Sequence, residues 1–265
     1  MRVLLLGATG SLGSRCLPAL IAHKHIVTVF VRNIPKLRLM MSPYLLELVH
    51  AIVEGDATDA AALKQALLDH DIEAIIDVAG NVTAPWKEPV LPKIAGAVGN
   101  AAVAVGTQRG KPLRSWITSG YLILKYPGTD NLFQDYWPSF LMKINHHEAT
   151  RAVTEAIPIQ DLKWSLICVA QMSPADRKQG IFQPLDAPRS HSLLLKATLP
   201  PGWELSWLAS IPFIGRFLHG IYCGLVLYRT KYEDVADFLA EDLEKEDSKW
   251  IGERVGMKEK SKKDV

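Results

Sequence analysis

Short unbroken apolar runs recur along this chain, and longer stretches of mixed apolar and polar residues separate them. An unbroken apolar run is typical of a strand that is buried on both faces of a parallel sheet. The pattern predicts strands at residues 3–6, 26–31, 51–53, 72–78, 113–118 and 164–169. Helices are predicted between them, at residues 11–22, 35–48, 60–68, 94–107 and 139–156. Because strands and helices alternate, the sequence predicts an α/β fold with a doubly wound parallel sheet.

The alternation ends near residue 175, which divides the chain into residues 1–175 and a small C-terminal lobe of residues 176–265. We expect the two parts to form one compact unit. A short helix is predicted near residues 192–197. Residues 232–239 begin a closing amphipathic helix, whose apolar side chains point inward and whose acidic side chains point outward.

Residues 205–228 are strongly apolar. The stretch is long enough to cross a bilayer, but Pro212, Gly215, Arg216 and His219 lie in its middle. Charged and helix-breaking residues are costly in lipid, so we expect no integral membrane span. The sequence instead predicts a lid or substrate lobe, and it leaves open a peripheral contact of this stretch with a membrane.

Three glycines, Gly7, Gly10 and Gly13, follow the first predicted strand and lead into the first helix. In this context the first glycine allows a tight turn, the second lets the backbone approach a pyrophosphate, and the third lets the helix pack closely on the strand. The helix N-terminus then offers N–H groups to the phosphates. The motif therefore predicts a dinucleotide site, with contacts from Gly7, Thr9, Gly10, Ser11, Leu12 and Gly13.

Arg32 follows the second strand, where folds that prefer NAD usually carry a carboxylate. A guanidinium can hold a ribose 2′-phosphate through two charge-assisted hydrogen bonds, so the sequence predicts NADP as the cofactor in preference to NAD. Asp56 is placed to cap the next helix and to reach the adenine amino group. The remaining predicted cofactor contacts are Ala57, Ala79 and Gly80.

Composition narrows the possible partners. The chain has 265 residues and 48% hydrophobic content, enough for one α/β domain with an appended lobe. A net charge of +2 is too small to indicate nucleic-acid binding. Cys16, Cys168 and Cys223 are scattered without metal-ligand spacing, so we expect reduced thiols, a cytoplasmic protein and no metal site. The glycines and charged residues near the N-terminus also argue against a signal peptide.

With these segments placed, the chain resembles the atypical short-chain dehydrogenase/reductase family, especially its NmrA-like and isoflavone-reductase-like branch. The resemblance covers nearly the whole chain, although only the glycine motif is individually specific. It implies a Rossmann domain with a small C-terminal substrate lobe. It rests on Gly7-Ala-Thr-Gly-Ser-Leu-Gly13, Arg32, Gly55-Asp56, Thr118-Ser119-Gly120-Tyr121 and Glu233-Asp-Val-Ala-Asp-Phe238.

The resemblance also implies catalytic residues. Active members of the wider family use a Ser at the end of the fifth strand and a Tyr-x-x-x-Lys pair on the following helix, where the lysine lowers the pKa of the phenol. Ser119 is placed to hydrogen-bond a substrate oxygen. Tyr121-Leu-Ile-Leu-Lys125 matches the spacing, but it lies on a segment that we predict to be extended, where residues four apart do not share a face.

On the helix after the fifth strand, the resemblance points to Lys143 as the charged partner. A shift of the alignment places His147 there instead, and Tyr136 precedes the helix. The candidate catalytic residues are therefore Ser119, Tyr121, Lys143 and His147.

These residues imply an NADP-dependent oxidoreductase that transfers hydride to a small, largely apolar carbonyl or enone compound. Its substrate would lie between the strand ends and residues 205–228, because ligands of such sheets bind beyond the carboxyl ends of the strands. The displaced Tyr–Lys pair leaves a second interpretation open: a non-catalytic NAD(P)-binding redox sensor or scaffold that regulates a partner protein. The sequence indicates no particular oligomeric state.

Overall fold

Ten strands and eight helices lie within residues 1–80, 88–138, 146–176 and 180–260, the part of the chain that the computed structural model describes. The strands are β1 Arg2–Leu6, β2 Ile26–Val31, β3 Ala51–Glu54, β4 Ala74–Asp77, β5 Leu113–Gly120, β6 Leu162–Val169, β7 Gln171–Ser173, β8 Leu193–Ala197, β9 Arg229–Lys231 and β10 Arg254–Glu259. The helices are α1 Gly13–Ala22, α2 Ile34–Met40, α3 Pro43–Glu47, α4 Ala60–Asp69, α5 Leu91–Arg109, α6 His147–Glu155, α7 Gly215–Tyr222 and α8 Tyr232–Asp242.

The main sheet has eight strands in the order β3-β2-β1-β4-β5-β6-β10-β8. The pairs from β3 to β10 are parallel, and only the pair of β10 with β8 is antiparallel. The order reverses between β1 and β4, which places the topological switch point of the sheet beside the glycine loop. This is a Rossmann-like fold, and the predicted fold class is confirmed.

Helices cover both faces of the main sheet, and two apolar clusters fill the layers between them. One cluster includes residues of β1, α1 and α8, and the other includes residues of β4, α4 and α5. Val3, Leu4, Leu5 and Leu6 are all fully buried, because alternate side chains of β1 enter opposite layers. The apolar run that predicted this strand is thus explained by burial on both faces.

The C-terminal part of the chain contributes more to the sheet than its pattern predicts. Residues 193–197 form β8, an edge strand, so the helix predicted near residues 192–197 is wrong. Strand β10 joins the sheet beside β6 through the register Val255↔Ile167. No described helix directly precedes β8, and residues 243–253 separate β10 from α8, so the alternation of strands and helices did not reveal them. The domain boundary at residue 175 stays a prediction.

Two predicted helix boundaries also differ in the structure. The helix predicted at residues 35–48 is divided into α2 and α3, because Met41 is extended and Ser42 caps α3 through the backbone N–H of Leu45. Asp59 caps α4 by accepting hydrogen bonds from the backbone N–H groups of Ala61 and Ala62. The predicted capping role of Asp56 is therefore wrong.

The acidic side chains of α8 do not all point outward as predicted. Asp237 and Asp242 are only 2% and 3% exposed. Asp237 accepts a hydrogen bond from the backbone N–H of Arg189, and Asp242 forms an ion pair with the buried Arg114. Both carboxylates therefore have donors inside the protein, although Oδ2 of Asp237 has no hydrogen-bond partner among the described residues. The spacing of apolar residues along one helix does not indicate such partners.

None of the described helices is both long and apolar enough to cross a bilayer.

Candidate functional site

The glycine loop lies between β1 and α1, and its backbone explains why glycines occupy it. Gly7 has φ +84°, and an added Cβ would lie 2.6 Å from the carbonyl carbon of Val78. A Cβ on Gly13 would overlap the carbonyl oxygen of Gly7. A Cβ on Gly10 would meet only the Gly7 carbonyl oxygen, at 3.2 Å, and otherwise point into open space. The loop therefore fits a pyrophosphate at Gly10, with Gly7 and Gly13 needed for close packing.

A cavity of about 490 Å³ extends from this loop along the ends of β2, β3 and β4. Seven of the predicted cofactor contacts line it: Gly7, Thr9, Gly10, Arg32, Ala57, Ala79 and Gly80. The other predicted contacts, Ser11, Leu12, Gly13 and Asp56, do not line it. Leu12 and Gly13 are buried, and Ser11 and Asp56 lie outside the cavity wall. The volume and the lining residues fit a nucleotide.

The end of this cavity beside β2 carries positive charge. Arg32 and Lys36 both line it, and no aspartate or glutamate is among its described lining residues. Asn33 also lines it and caps α2 by accepting a hydrogen bond from the backbone N–H of Lys36. Hydrogen bonds from Thr58 lower the pKa of Asp56, and the nearby Arg32 lowers it further. The cationic rim favours an anionic ligand group at this end.

Asp77 is a buried carboxyl group that the sequence analysis did not single out. It ends β4 at the switch point, and its side chain accepts a hydrogen bond from the backbone N–H of Ala79. Burial raises its pKa to about 7. The group is therefore about half protonated near neutral pH, which reduces its repulsion of a bound anion. An Asp at the end of an otherwise apolar strand was the sequence signal that could have identified it.

A second cavity, of about 390 Å³, lies at the carboxyl ends of β5 and β6. Most of its lining side chains are apolar, and one of the lining residues is a histidine, His147. Part of its wall is formed by Trp137 and by three residues of the C-terminal lobe, Ile221, Gly224 and Leu225. Its lining residues are Gly120, Tyr121, Leu122, Trp137, His147, Val169, Ala170, Gln171, Ile221, Gly224 and Leu225.

His147 is the first residue of α6 and its ring packs against the backbone of β5. A Cβ added to Gly120 would lie 2.6 Å from the imidazole Nε2, so the glycine makes room for this ring. Burial and, to a smaller extent, the neighbouring His146 lower the pKa of His147 to about 4. The imidazole is therefore neutral at physiological pH, with one nitrogen able to donate and the other able to accept a hydrogen bond.

The other catalytic candidates occupy different environments. Tyr121 lies in a 3₁₀ turn at residues 121–123, which corrects the extended conformation predicted there. Its hydroxyl donates to the carbonyl of Gly220 at 2.7 Å, and burial raises its pKa. Ser119 precedes the lining residue Gly120 in β5 but does not itself line the cavity. It is buried, and its Oγ has no hydrogen-bond partner among the described residues. Lys143 lies outside the described residues.

Tyr136, the other tyrosine near this helix, is part of the 3₁₀ turn Phe133–Tyr136 and does not line the cavity. Its hydroxyl accepts a hydrogen bond from Nη1 of Arg216 at 2.8 Å. Trp137, the next residue, does line the cavity, although the sequence analysis missed it. Its place in a proline-bearing loop gave no periodic signal.

The switch point, the glycine loop and the cavity beside it are the features of an α/β protein that binds a dinucleotide. A family model described as NAD(P)H-binding matches residues 7–191, and the chain belongs to that family. The predicted resemblance to atypical short-chain dehydrogenases/reductases is thereby confirmed. A nicotinamide dinucleotide is the cofactor class that this family binds.

Solved structures with similar folds cover almost the whole chain. A protein from Lactobacillus casei has 14% identity and a TM-score of 0.63, with 98% of this chain and 100% of that chain covered. A wide-type short-chain dehydrogenase/reductase from Veillonella parvula in complex with NADP has 13% identity and a TM-score of 0.57, with coverages of 97% and 94%. The oxidoreductase YlbE from Lactococcus lactis has 15% identity and a TM-score of 0.57, with coverages of 98% and 92%. At these identities the similarity shows the fold. A sequence comparison with curated proteins gives no match.

Proposed function

We propose that this protein is an NADP-dependent reductase of the NmrA-like type, which transfers hydride to a small, largely apolar carbonyl or enone compound. Family membership supports a general oxidoreductase role. The proposal rests mainly on the apolar cavity that contains the neutral imidazole of His147. This cavity lies at the same edge of the sheet as the nucleotide cavity. Strands β4, β5 and β6 are parallel neighbours, so their carboxyl ends open side by side.

The preference for NADP rests on charge. The 2′-phosphate that distinguishes NADP from NAD would lie at the end of β2, where Arg32 and Lys36 line the cavity. A carboxylate at this place would repel the phosphate, and none of the described lining residues carries one.

Replacement of Arg32 by Asp is expected to reverse the cofactor preference. One charged bidentate contact contributes about 1.5–3 kcal/mol, so the parent protein should bind NADPH roughly ten- to a hundredfold more tightly than NADH. Titration calorimetry with both cofactors measures the ratio. Arg38→Asp is the matched control, because Arg38 lies on α2, six residues after Arg32, but does not line the nucleotide cavity. Equal affinities of the parent protein for NADPH and NADH would contradict the assignment.

The residues of the second cavity suit a carbonyl substrate. NADPH, when bound, supplies the hydride. Hydride addition leaves negative charge on the substrate oxygen, which needs a hydrogen-bond donor or a proton close by. The neutral His147 can donate one hydrogen bond to that oxygen, and the hydroxyl of Ser119 is the second donor that we propose. Tyr121 is better placed as part of the cavity wall, since its hydroxyl is held by the Gly220 carbonyl.

His147→Ala and Ser119→Ala are each expected to lower turnover by about a hundredfold, in line with the loss of one donor or acid–base group. NADPH binding should change much less, because neither side chain lines the nucleotide cavity. The assay follows the loss of NADPH absorbance with a panel of apolar ketones, aldehydes and enones. Activity of the parent protein should show no ionisation of His147 between pH 5 and 9, because its pKa of about 4 keeps it neutral there.

Lys143→Met and Tyr121→Phe complete the comparison. If Lys143→Met abolishes turnover while His147→Ala is active, the lysine is the partner that the family resemblance first indicated. Tyr121→Phe should retain most of the activity. Loss of activity in Tyr121→Phe alone would show that the phenol of Tyr121 takes part in the reaction.

A redox sensor is the second candidate function, and one observation favours it. Helix α6 carries no tyrosine, and the phenol of Tyr121 is hydrogen-bonded away from the role that active family members give it. A sensor would bind NADPH with the same dependence on Arg32 but reduce no compound in the panel. The cofactor titration and the turnover assay therefore separate the two functions.

A further inference from the structure

We propose that the surface formed by residues 205–226, here called the apolar lobe surface, docks onto an anionic lipid bilayer. The proposal rests on exposure, geometry and charge, and not on catalysis.

The lobe exposes large apolar side chains that the fold does not need to expose. Trp207 is 76% exposed and Phe213 is 106% exposed. The other exposed members of this surface are Leu205, Ile214, Leu225 and Val226. Isolated exposed apolar residues are ordinary, but a concentration of six within 22 consecutive positions marks an interaction site.

The helix in this lobe carries apolar side chains on its outer face. His219 and Cys223 face the interior, where they are buried. Ile214, Leu218, Ile221 and Leu225 are spaced by four, three and four residues, so they share the outer face of the α7 segment. A helix that lay only against its own protein would carry polar residues on that face.

Phe213 is held outward by its backbone. Its φ of +64° is the left-handed conformation, which is unfavourable for a residue with a bulky side chain. The ring that this conformation presents is fully exposed and makes no packing contact that would compensate for it. Contact with a bilayer would bury this ring, because a bulky ring at a loop tip can insert between lipid headgroups.

The charges around the surface select an anionic partner. Residues 205–232 contain no aspartate or glutamate, but they contain Arg216, Arg229 and Lys231. The exposed Arg229 donates to the carbonyl of Leu225 and so lies beside the apolar surface. Lys231 pairs with Glu259, and Arg216 lies over the rings of Tyr126 and Tyr136. The two arginines outweigh the one exposed carboxylate that adjoins the stretch, Glu204, and leave its charge positive. Aromatic and aliphatic side chains with basic neighbours are the composition of an interfacial membrane contact.

The surface also borders the second cavity. Leu225 is exposed and at the same time lines that cavity. An apolar substrate dissolved in the membrane would therefore meet the cavity at the docked face. This last link rests on the proposed function, whereas docking itself needs neither cofactor nor substrate.

Vesicle flotation tests the proposal with the full chain and without NADPH. The parent protein is expected to bind vesicles of phosphatidylcholine and phosphatidylserine, and to bind vesicles of phosphatidylcholine alone at least about tenfold more weakly. The double variant Trp207→Ser/Phe213→Ser should bind the anionic vesicles at least about tenfold more weakly than the parent, since burial of each large side chain contributes a factor of this order. The matched control is Leu39→Ser/Tyr44→Ser, which removes two large apolar residues that are also more than 70% exposed but lie elsewhere, and it should bind like the parent.

Two results would overturn the proposal. The first is that the parent protein binds no vesicle, or that both double variants bind like the parent. The second is a parent dimer, seen by sedimentation velocity, that only Trp207→Ser/Phe213→Ser dissociates, because the surface would then join two copies of this chain. NADPH titration of the same variant shows that it is folded, and a failure of the reductase assay would leave the vesicle result unaffected.

Discussion

The Gly10→Val variant should fold normally and lose dinucleotide binding by about a hundredfold or more, since its side chain would occupy the place of the pyrophosphate. An added Cβ at this position meets only the carbonyl oxygen of Gly7, at 3.2 Å, a tight contact that a small shift of the loop would relieve. Titration calorimetry with NADPH measures the loss, and thermal unfolding checks the fold.

Two other glycines provide the comparison for this variant. Gly180→Val adds the same side chain where no atom lies within 4 Å, and it should bind NADPH like the parent protein. Gly7→Val should fail to fold, because Gly7 has φ +84° and lies against the backbone of Val78. Retained NADPH affinity in folded Gly10→Val would show that the phosphates bind elsewhere.

Asp242→Ala should lower the free energy of unfolding by about 3–5 kcal/mol, the usual cost of leaving one member of a buried ion pair without its partner. Asp242 and Arg114 are 3% and 4% exposed, and their closest atoms are 3.0 Å apart. The same carboxylate accepts hydrogen bonds from the Trp116 indole at 3.0 Å and the Ser248 hydroxyl at 2.5 Å. Burial lowers the pKa of Arg114, but an unpaired guanidinium would still be costly in this position.

Urea denaturation of purified protein measures this loss. Glu246→Ala is the control, because it removes a carboxylate whose ion pair with Lys111 is largely exposed, and it should change the stability by less than about 1 kcal/mol. A similarly small effect of Asp242→Ala would mean that the Arg114 charge finds another partner or reaches solvent.

The N-terminal half of the fold was predictable because its determinants are local. An apolar run, three spaced glycines and an amphipathic helix occupy consecutive positions, and each carries its own structural signal. Arg32 was predictable for the same reason, since its distance from the glycines is set by one helix and one strand. The structure places Arg32 and the glycine loop around one cavity.

The C-terminal part was less predictable because its structure depends on distant partners. Within the described residues, strand β8 pairs with β10 alone, and β10 pairs with β6, a strand more than 80 residues earlier in the sequence, as in the pair Val255↔Ile167. A short apolar run without a crossover helix carries no signal that separates such an edge strand from a helix. The buried Asp242 depends likewise on Arg114, a residue 128 positions away in sequence.

The sequence by itself determined the α/β class, the glycine loop and the basic residue at the end of β2, because neighbouring residues encode each of them. Only the tertiary structure decided which candidate side chains share a cavity. It placed His147 against Gly120, turned the Tyr121 hydroxyl to the Gly220 carbonyl and brought residues 221–225 over the strand ends. These contacts join segments that lie far apart along the chain, and no local sequence pattern specifies which distant segments come into contact.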